Sequence, residues 1–277
     1  MKKNRIKISP DLSLHLKIKT YWKGLTSEVV NALKAYPTDV IFYSHAIRVQ
    51  IKRIRSLLLL IKDQLQAEEY EEFDALYQEL GNRLGLIREH YILLKTFQRI
   101  RTAFHSANSQ PLVDFYKTLE LQYDDLLKEI NLDRNSFLQY VDKFNASTLK
   151  IDNVFQSIDN KKLKKRYQLT CDKCFKIAKS LSLGSSAEDF HSFRKWAKKV
   201  LYQQIFFKQI LKQRCKVRHN SKLKKIAKIV GEEHDLQILR HQWEILEIPL
   251  NNNMSLILNH RIVSQRKRIL QMIKKVF

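Results

Sequence analysis

Two rows of basic side chains at helical spacing are the residues of this sequence best placed to do chemistry. In the first row, His45, Arg48, Lys52 and Arg55 fall within about 80° of one another on a helical wheel, because an α-helix turns by ~100° per residue. The opposite side of the same helix would carry only apolar residues, namely Ile47, Ile51, Ile54, Leu58, Ile61 and Leu65. The pattern predicts a helix with one buried face and one face that presents a ladder of cations.

The second row repeats the first 146 residues later in the chain. It consists of His191, Arg194, Lys198 and Tyr202, opposite the apolar residues Phe193, Ala197 and Val200. A second motif recurs at the same offset, because Gly85-Leu-Ile-Arg-Glu89 matches Gly231-Glu-Glu-His-Asp235. Two separated motifs that share one offset indicate a duplicated unit.

A ladder of this kind can simply be the solvated face of an amphipathic helix. Against that interpretation, Arg48–Lys52 and Arg194–Lys198 are like-charge pairs at i,i+4, which destabilise a helix. Neither segment contains the acidic residues that usually alternate with cations on a solvated face. Arg offers forked donors, Lys a mobile charge, and His a proton that is gained as pH falls. These residue types in a line suit a flexible chain of phosphates.

The composition supports a basic, helical protein. The 277 residues include 51 Lys and Arg against 28 Asp and Glu, which gives a formal net charge of +23. Such an excess is typical of proteins with polyanionic partners, and nucleic acid, anionic membrane and polyphosphate all remain open on charge alone. Only 5 Gly and 4 Pro occur, which disfavours sandwiches and barrels and favours long helices. The predicted fold class is all-α.

The repeat and the chain breaks predict four helices in each half. We expect the first half at residues 1–135, a linker at 136–149 that is not rich in Gly or Ser, and the second half at 150–277 within one domain. Ser9-Pro10 should begin the first helix, although the alternation of Leu12, Leu14, Leu16 and Ile18 would also suit a strand. The other helices are expected at 40–65, 68–104, 111–130, 155–182, 187–214, 219–247 and 253–276, with breaks at 184–186, 218–221 and 249–253.

Other candidate sites are weaker. Cys171 and Cys174 form a CxxC, but an antiparallel helix pair that turns near Gly184 would put Cys215 roughly 25 Å away along the axis, which argues against zinc. The His234-Asp235 pair lacks the further ligands of a metal phosphohydrolase. No glycine builds a nucleotide-binding loop, and no nucleophile lies beside a base. We therefore expect no catalytic residue, no metal and no cofactor.

The paired H-x-x-R-x-x-x-[KR]-[KR] and G-x-x-[RH]-[ED] segments resemble the CHAD family, the conserved histidine α-helical domain. The resemblance covers nearly the whole chain. It implies two four-helix bundles related by approximate two-fold symmetry, with a basic central channel that binds polyphosphate. Carried over by position, the channel residues would be His45, Arg48, Lys52 and Arg53 with Arg55 one turn further, then His191, Arg194, Lys195, Lys198 and Lys199, with Arg88 and His234 from the later motif.

Basic residues outside the motifs give one addition and one alternative. Lys222 and Lys225, one turn apart on a helix that leads to Gly231, are the surface lysines best placed to extend the site. The alternative function is a helical nucleic-acid-binding protein whose cations contact backbone phosphates. It is disfavoured because Phe193, Phe206 and Phe207 are predicted core residues, which leaves Tyr202 as the aromatic near the ladder. We expect a cytoplasmic, non-enzymatic protein that acts at polyphosphate granules and not on membranes, and the oligomeric state stays open.

Overall fold

The structure is a computed structural model that describes residue 6 and residues 8–101, 110–155, 158–211, 220–246 and 252–276. Within these ranges the chain is all-α, as predicted, and no strand occurs. Short 3-10 turns at Tyr36–Thr38 and Lys62–Gln64 follow the first two helices. The helices are α1 (Leu14–Ala35), α2 (Val40–Ile61), α3 (Ala67–Arg101), α4 (Gln110–Leu132), α5 (Arg134–Val154), α6 (Asn160–Ser180), α7 (Ala187–Ile210), α8 (Asn220–Ile245) and α9 (Asn252–Lys274).

The order of the helices follows the sequence repeat. Four helices precede α5 and four follow it. Leu14 and Asn160, the first residues of α1 and α6, are 146 residues apart, and Val40 and Ala187, which begin α2 and α7, are 147 apart. Each ladder therefore lies on the second helix of its series. The pairing of the helices into two bundles with a channel between them stays a prediction.

The segment predicted as a linker, 136–149, lies inside helix α5. Its aromatic residues explain the difference. Phe137, Tyr140, Phe144 and Ile151 recur at spacings of three, four and seven residues, and at most 4% of each is exposed. A stripe with this period stabilises a helix by burying one face against the core. The segment between the two predicted halves is therefore a helix, which the four helices expected in each half did not include.

Helix α1 begins at Leu14, after Ser13, and not at Ser9-Pro10. Residues 9 to 11 are exposed, so a helix there would bury no apolar face. The buried stripe starts at Ile18 and continues through Trp22, Leu25 and Val29. The alternation of Leu12, Leu14, Leu16 and Ile18 does not produce a strand, because Leu14–Ala35 is helical. Predicted breaks at 218–219 and 249–251 lie outside the described residues.

The chain forms two compact units. Unit 1 comprises residues 1–86, 129–171 and 199–216. In it α1 packs against α2 and α5, and the Trp22 ring makes edge contacts with Phe73, Tyr77 and Phe155 at centroid distances of 5.7 Å. The Asp39 side chain caps α2 by accepting a hydrogen bond from the Phe42 amide at 2.9 Å. These contacts fix the helix that carries the first ladder.

Unit 2 comprises residues 87–128, 172–198 and 217–277. In it α8 packs against α9, and the rings of Phe115 and Trp243 lie 4.1 Å apart at the centre of the core. Ser186 and Asp189 cap α7 reciprocally, each side chain accepting from the other's backbone amide at 3.1 and 2.8 Å. Each unit contains segments from both predicted halves, so the boundaries at 135 and 150 stay a prediction about the repeat.

Candidate anion-binding site

The first ladder lies on α2 within unit 1. The apolar side of α2 is the predicted one, because Ile47, Ile51, Ile54, Leu58 and Ile61 are at most 2% exposed. On the other side His45 and Lys52 are exposed, whereas Arg48 is half-buried. The Arg48 guanidinium donates a hydrogen bond to the carbonyl of Gly81 on α3. This contact holds Arg48 against the neighbouring helix at the middle of the ladder.

Two arginines of the first ladder are engaged within the protein. Arg55 makes a forked ion pair with Asp74, at 2.7 and 2.9 Å, and also donates to Gln78. Arg53 donates to Gln50, which in turn donates to Glu28. The sequence predicts that both arginines contact the ligand. In the structure Asp74 balances the charge of Arg55, and Gln50 accepts a hydrogen bond from Arg53. These two cations therefore have less to offer a ligand than the sequence suggests.

His191 and Arg194 of the second ladder contact α8 within unit 2. The rings of His191 and His234 lie 4.3 Å apart, so the histidines of the two sequence motifs are in contact. Arg194 packs against Gly231, where an added β-carbon would lie only 3.1 Å from its Nε and 3.2 Å from its Nη2. Any side chain at position 231 would displace the guanidinium. The glycine of the second motif is therefore explained by the close approach of Arg194.

Crowded positive charge is visible in the pKa values of this cluster. Burial lowers the pKa of Lys198, and the neighbouring charges of Arg194 and Lys224 lower it further. Burial likewise lowers the pKa of His234 to about 4, with added repulsion from His191 and Arg194. Both groups would hold their protons more tightly if an anion entered the cluster. An anion here would relieve the repulsion that Arg194 and Lys224 exert on Lys198.

One carboxylate sits among these cations. Burial raises the pKa of Asp235, while the charges of Arg194, Arg99 and Arg88 oppose that rise. Arg88 is half-buried, burial lowers its pKa, and its guanidinium lies 5.1 Å from the centre of the Tyr91 ring. Asp235 therefore gathers three arginines from α3 and α7. Their charges partly offset the effect of burial on this carboxyl, whereas the charge of Glu232 adds to it.

The remaining predicted residues lie at the edges of this arrangement. Lys195 is exposed and pairs with Glu188 at 3.4 Å, which contributes little. Lys199 and Tyr202 follow on α7 and are half-buried in unit 1. Lys222 and Lys225 are exposed on the first turns of α8.

Two contributors, Lys224 and Arg99, were missed in the sequence. Lys224, rather than Lys222 or Lys225, is the α8 lysine whose charge reaches Lys198. Its position seven residues before Gly231 puts it on the same face of the helix, and this spacing could have identified it. Arg99 and Asp235 become neighbours only because α3 packs near α8 in unit 2, which no local pattern reveals.

The cysteine and metal alternatives lie apart from this cluster. Cys171 and Cys174 are buried on α6, and Cys215 and His219 lie outside the described residues. No group of three or more His, Cys, Asp or Glu side chains in the described ranges is arranged to hold a metal ion. No helix in the same ranges is long and apolar enough to cross a membrane.

Comparisons with known proteins identify the fold and the family. The structure is similar to the crystal structure of the CHAD domain from the plant Ricinus communis, with a TM-score of 0.69 and 15% identity over 99% of this chain and 96% of that chain. It is also similar to PptA from Streptomyces chartreusis, with a TM-score of 0.64 and 13% identity over 95% of this chain and 97% of that one. No curated protein sequence matches the chain.

The family model of the CHAD domain matches residues 31–244. That range includes both ladders and both glycine motifs. Because the match extends over most of the 277 residues, and because the fold agrees with a CHAD domain structure along nearly the whole chain, this protein belongs to the CHAD domain family.

Proposed function

We propose that this protein binds inorganic polyphosphate through the cationic cluster of unit 2 and the ladder of unit 1, without catalysing a reaction. The observation that carries the proposal is the concentration of cations in unit 2, where the charges of Arg194, Arg99 and Arg88 act on Asp235 and those of Arg194 and Lys224 act on Lys198. Burial lowers the pKa of Lys198 and that of Arg88, and the charges of Arg194 and Lys224 lower the pKa of Lys198 further. A polyanion would supply the missing negative charge.

The geometry suits phosphate in particular. The Nε atom of Arg194 is buried and has no hydrogen-bond acceptor among the described residues. Phosphate oxygens are good acceptors for guanidinium donors because they match its forked arrangement. The His191–His234 contact adds two imidazoles, which become donors at both ring nitrogens when protonated. A linear phosphate polymer could contact these groups in succession.

The absence of catalysis is part of the proposal. The cluster offers donors and positive charge, and the sequence places no Ser, Cys or Thr nucleophile beside a base in it. His234 is neutral at physiological pH, since its pKa lies near 4. A group with that pKa is a weak base for proton abstraction near pH 7. Incubation with polyphosphate should release no orthophosphate above a buffer blank.

A competition assay at physiological salt tests the ligand preference. Fluorescent polyphosphate of defined length is bound to the full chain and is then challenged with unlabelled polyphosphate, duplex DNA or tRNA at equal phosphate concentration. Unlabelled polyphosphate should displace the probe at least tenfold more effectively than either nucleic acid. Equal or stronger displacement by DNA or tRNA would favour the nucleic-acid alternative.

We also propose that the protein acts in the cytoplasm at polyphosphate granules. A protein that binds a polymer by many modest contacts should bind most tightly where phosphate is densely packed, because each contact raises the effective concentration of phosphate for the next one. A fluorescent fusion of the full chain should form foci that coincide with stained polyphosphate. Foci that persist after the polymer has been enzymatically removed would contradict this placement.

A further inference from the structure

The first turns of α6 carry a second concentration of positive charge. Lys161, Lys162, Lys164, Lys165 and Arg166 fill five of the seven positions from Asn160 onward, and no acidic residue occurs between 160 and 171. All four lysines are exposed. None of them lies within ion-pair distance of a carboxylate in the described part of the chain, whereas Arg166 forms a forked ion pair with Asp63.

This arrangement works against the helix that carries it. Cations in the first turn oppose the helix dipole, which favours negative charge at that end. Lys161 also faces Lys164 and Lys165 at i,i+3 and i,i+4, where like charges repel. Packing does not account for the run, because the buried side of this segment consists of Leu163, Tyr167 and Thr170. The lysines are thus unexplained by folding.

The run is also not part of the duplicated site. Positions 146 residues earlier, on α1, hold His15, Leu16, Ile18 and Lys19, so a single cation replaces the four lysines. Both ladders lie on other helices, α2 and α7. A feature that is present in one repeat and absent from its counterpart does not belong to a function that both repeats share.

We propose that the exposed face formed by Lys161, Lys162, Lys164 and Lys165 binds the phosphodiester backbone of duplex nucleic acid without reading its sequence. Lysines are mobile point charges that suit backbone phosphates. The face is the convex outside of a helix, and no exposed aromatic side chain lies among the lysines to stack on bases. Duplex contact through charge alone fits these properties.

Two other polyanions fit this face less well. A membrane surface takes up an amphipathic helix by its apolar side, but Leu163 and Cys171 are buried in the protein and Leu169, at 48% exposure, is the main apolar residue left outside. Polyphosphate at the ladders would contact partly buried arginines. On α6 the one arginine of the run, Arg166, already forms an ion pair with Asp63. The protein would therefore hold polyphosphate and nucleic acid on different surfaces.

A salt titration with matched variants tests this inference. One variant carries Lys161→Gln, Lys162→Gln, Lys164→Gln and Lys165→Gln, which keeps good helix formers and removes only repulsion. The control carries Lys267→Gln, Arg268→Gln, Lys274→Gln and Lys275→Gln, four exposed cations in or just after the last turns of α9. Both lose the same charge. Binding of a labelled DNA duplex is measured by anisotropy between about 50 and 200 mM salt, with circular dichroism as a check of the fold.

The α6 variant should reduce the slope of log K against log salt by about 3 to 4, since each lost phosphate contact removes about 0.9. The control should change it by less than about 1, and both variants should keep polyphosphate affinity within about twofold. Equal slope changes in the two variants, or an unchanged slope for the α6 variant, would overturn the inference. So would a parallel loss of polyphosphate affinity, or a selective loss of binding to phosphatidylserine vesicles. Failure of polyphosphate binding in the unmodified chain would instead count against the proposed function.

Discussion

Arg194 and His234 show how single side chains define the candidate site. Arg194 contacts Gly231, lies near Lys198 and His234, and approaches Asp235. His234 touches His191 and is held neutral by burial. Both residues come from motifs that were visible in the sequence, but their proximity depends on the packing of α7 against α8. Their chemistry yields two predictions about individual positions.

The first concerns pH. The pKa of His234 is about 4 in the folded protein and 6.5 in an unperturbed side chain. Between these values the unfolded chain binds a proton that the folded chain does not, so the free energy of unfolding falls as pH falls from 6.5 to 4. From pH 7 to pH 5 the loss should be about 1 kcal/mol greater than in a His234→Gln variant, after allowance for solvent screening. Urea unfolding at pH 7 and pH 5 measures this loss in the free energy of unfolding. Equal losses in the unmodified protein and the His234→Gln variant would contradict the prediction.

Ligand binding should respond to pH in the opposite direction. A polyanion favours protonated His234 and His191, so polyphosphate affinity should rise as pH falls from 8 to 5.5. Calorimetric titrations in two buffers of different ionisation enthalpy should reveal proton uptake on binding. The His234→Gln variant should take up fewer protons, and unchanged uptake would place the linked proton elsewhere.

The second residue prediction uses two glycines of similar setting. Gly231→Ala would push against Arg194 at 3.1 Å, whereas Gly81→Ala would make an ordinary 3.6 Å contact with Ile51. Both replacements raise helix propensity by roughly 0.5–1 kcal/mol. Polyphosphate affinity should fall several-fold in Gly231→Ala and stay unchanged in Gly81→Ala, with neither variant unfolded. Equal affinities would show that the position of Arg194 is unimportant.

At the scale of elements, a buried ion pair joins α8, α9 and the segment before α7. The Arg266 Nε donates to Glu233 at 2.8 Å and its Nη1 donates to the Ser185 carbonyl, also at 2.8 Å. The Glu233 side chain is 1% exposed and that of Arg266 is 12% exposed. Because Glu233 precedes His234, this pair fixes the helices that hold the histidine contact.

Removing one partner of the Arg266–Glu233 ion pair should therefore lower the free energy of unfolding. Arg266→Met would leave Glu233 buried without its cation, and we expect a loss of about 3–5 kcal/mol in the free energy of unfolding. Adding Glu233→Gln should recover a large part of this loss, since Gln237 can still bond to the uncharged amide. Denaturant unfolding of both single variants and the double variant measures the coupling. A cost below about 1 kcal/mol for Arg266→Met would show that the pair does not join these elements.

Helices were predicted well where the apolar residues and the charged residues both recurred with the period of an α-helix. On α2 the apolar and cationic faces follow from residue types alone, and both lie where they were expected. Helix α5 was missed because the end of the repeat suggested a linker, although Phe137, Tyr140 and Phe144 already had helical spacing. The start of α1 was misplaced because the capping signal at Ser9-Pro10 precedes any residue that the fold buries.

The site was predictable only in part. Motif spacing brought His191, Arg194, Lys198 and His234 into one hypothesis, and the structure places them in one unit. The pairing of Arg55 with Asp74 could not be foreseen, because Asp74 lies in another helix and no local period connects the two. The same holds for Arg99 beside Asp235. Tertiary contacts thus pair one predicted cation with a carboxylate and bring Arg99, which was not predicted, near Asp235.

For the whole molecule, the net charge of +23 makes weak attraction to any polyanion unavoidable. A binding claim for particular residues must therefore be separated from the general field of the protein. Only variants that change the same charge at different places can make this separation. Such a set consists of Arg48 and Arg194 in the ladders and the exposed Lys267 and Arg268 on α9.

The most direct measurement is a calorimetric titration of polyphosphate of defined length into Arg48→Glu with Arg194→Glu, and into a control with Lys267→Glu and Arg268→Glu. Both double variants shift the net charge equally. The ladder variant should lose at least about a hundredfold in affinity, the control should lose less than about fivefold, and both should keep the helical circular dichroism of the unmodified chain. Equal losses in the two variants, or retained affinity in a folded ladder variant, would contradict a polyphosphate site at these arginines.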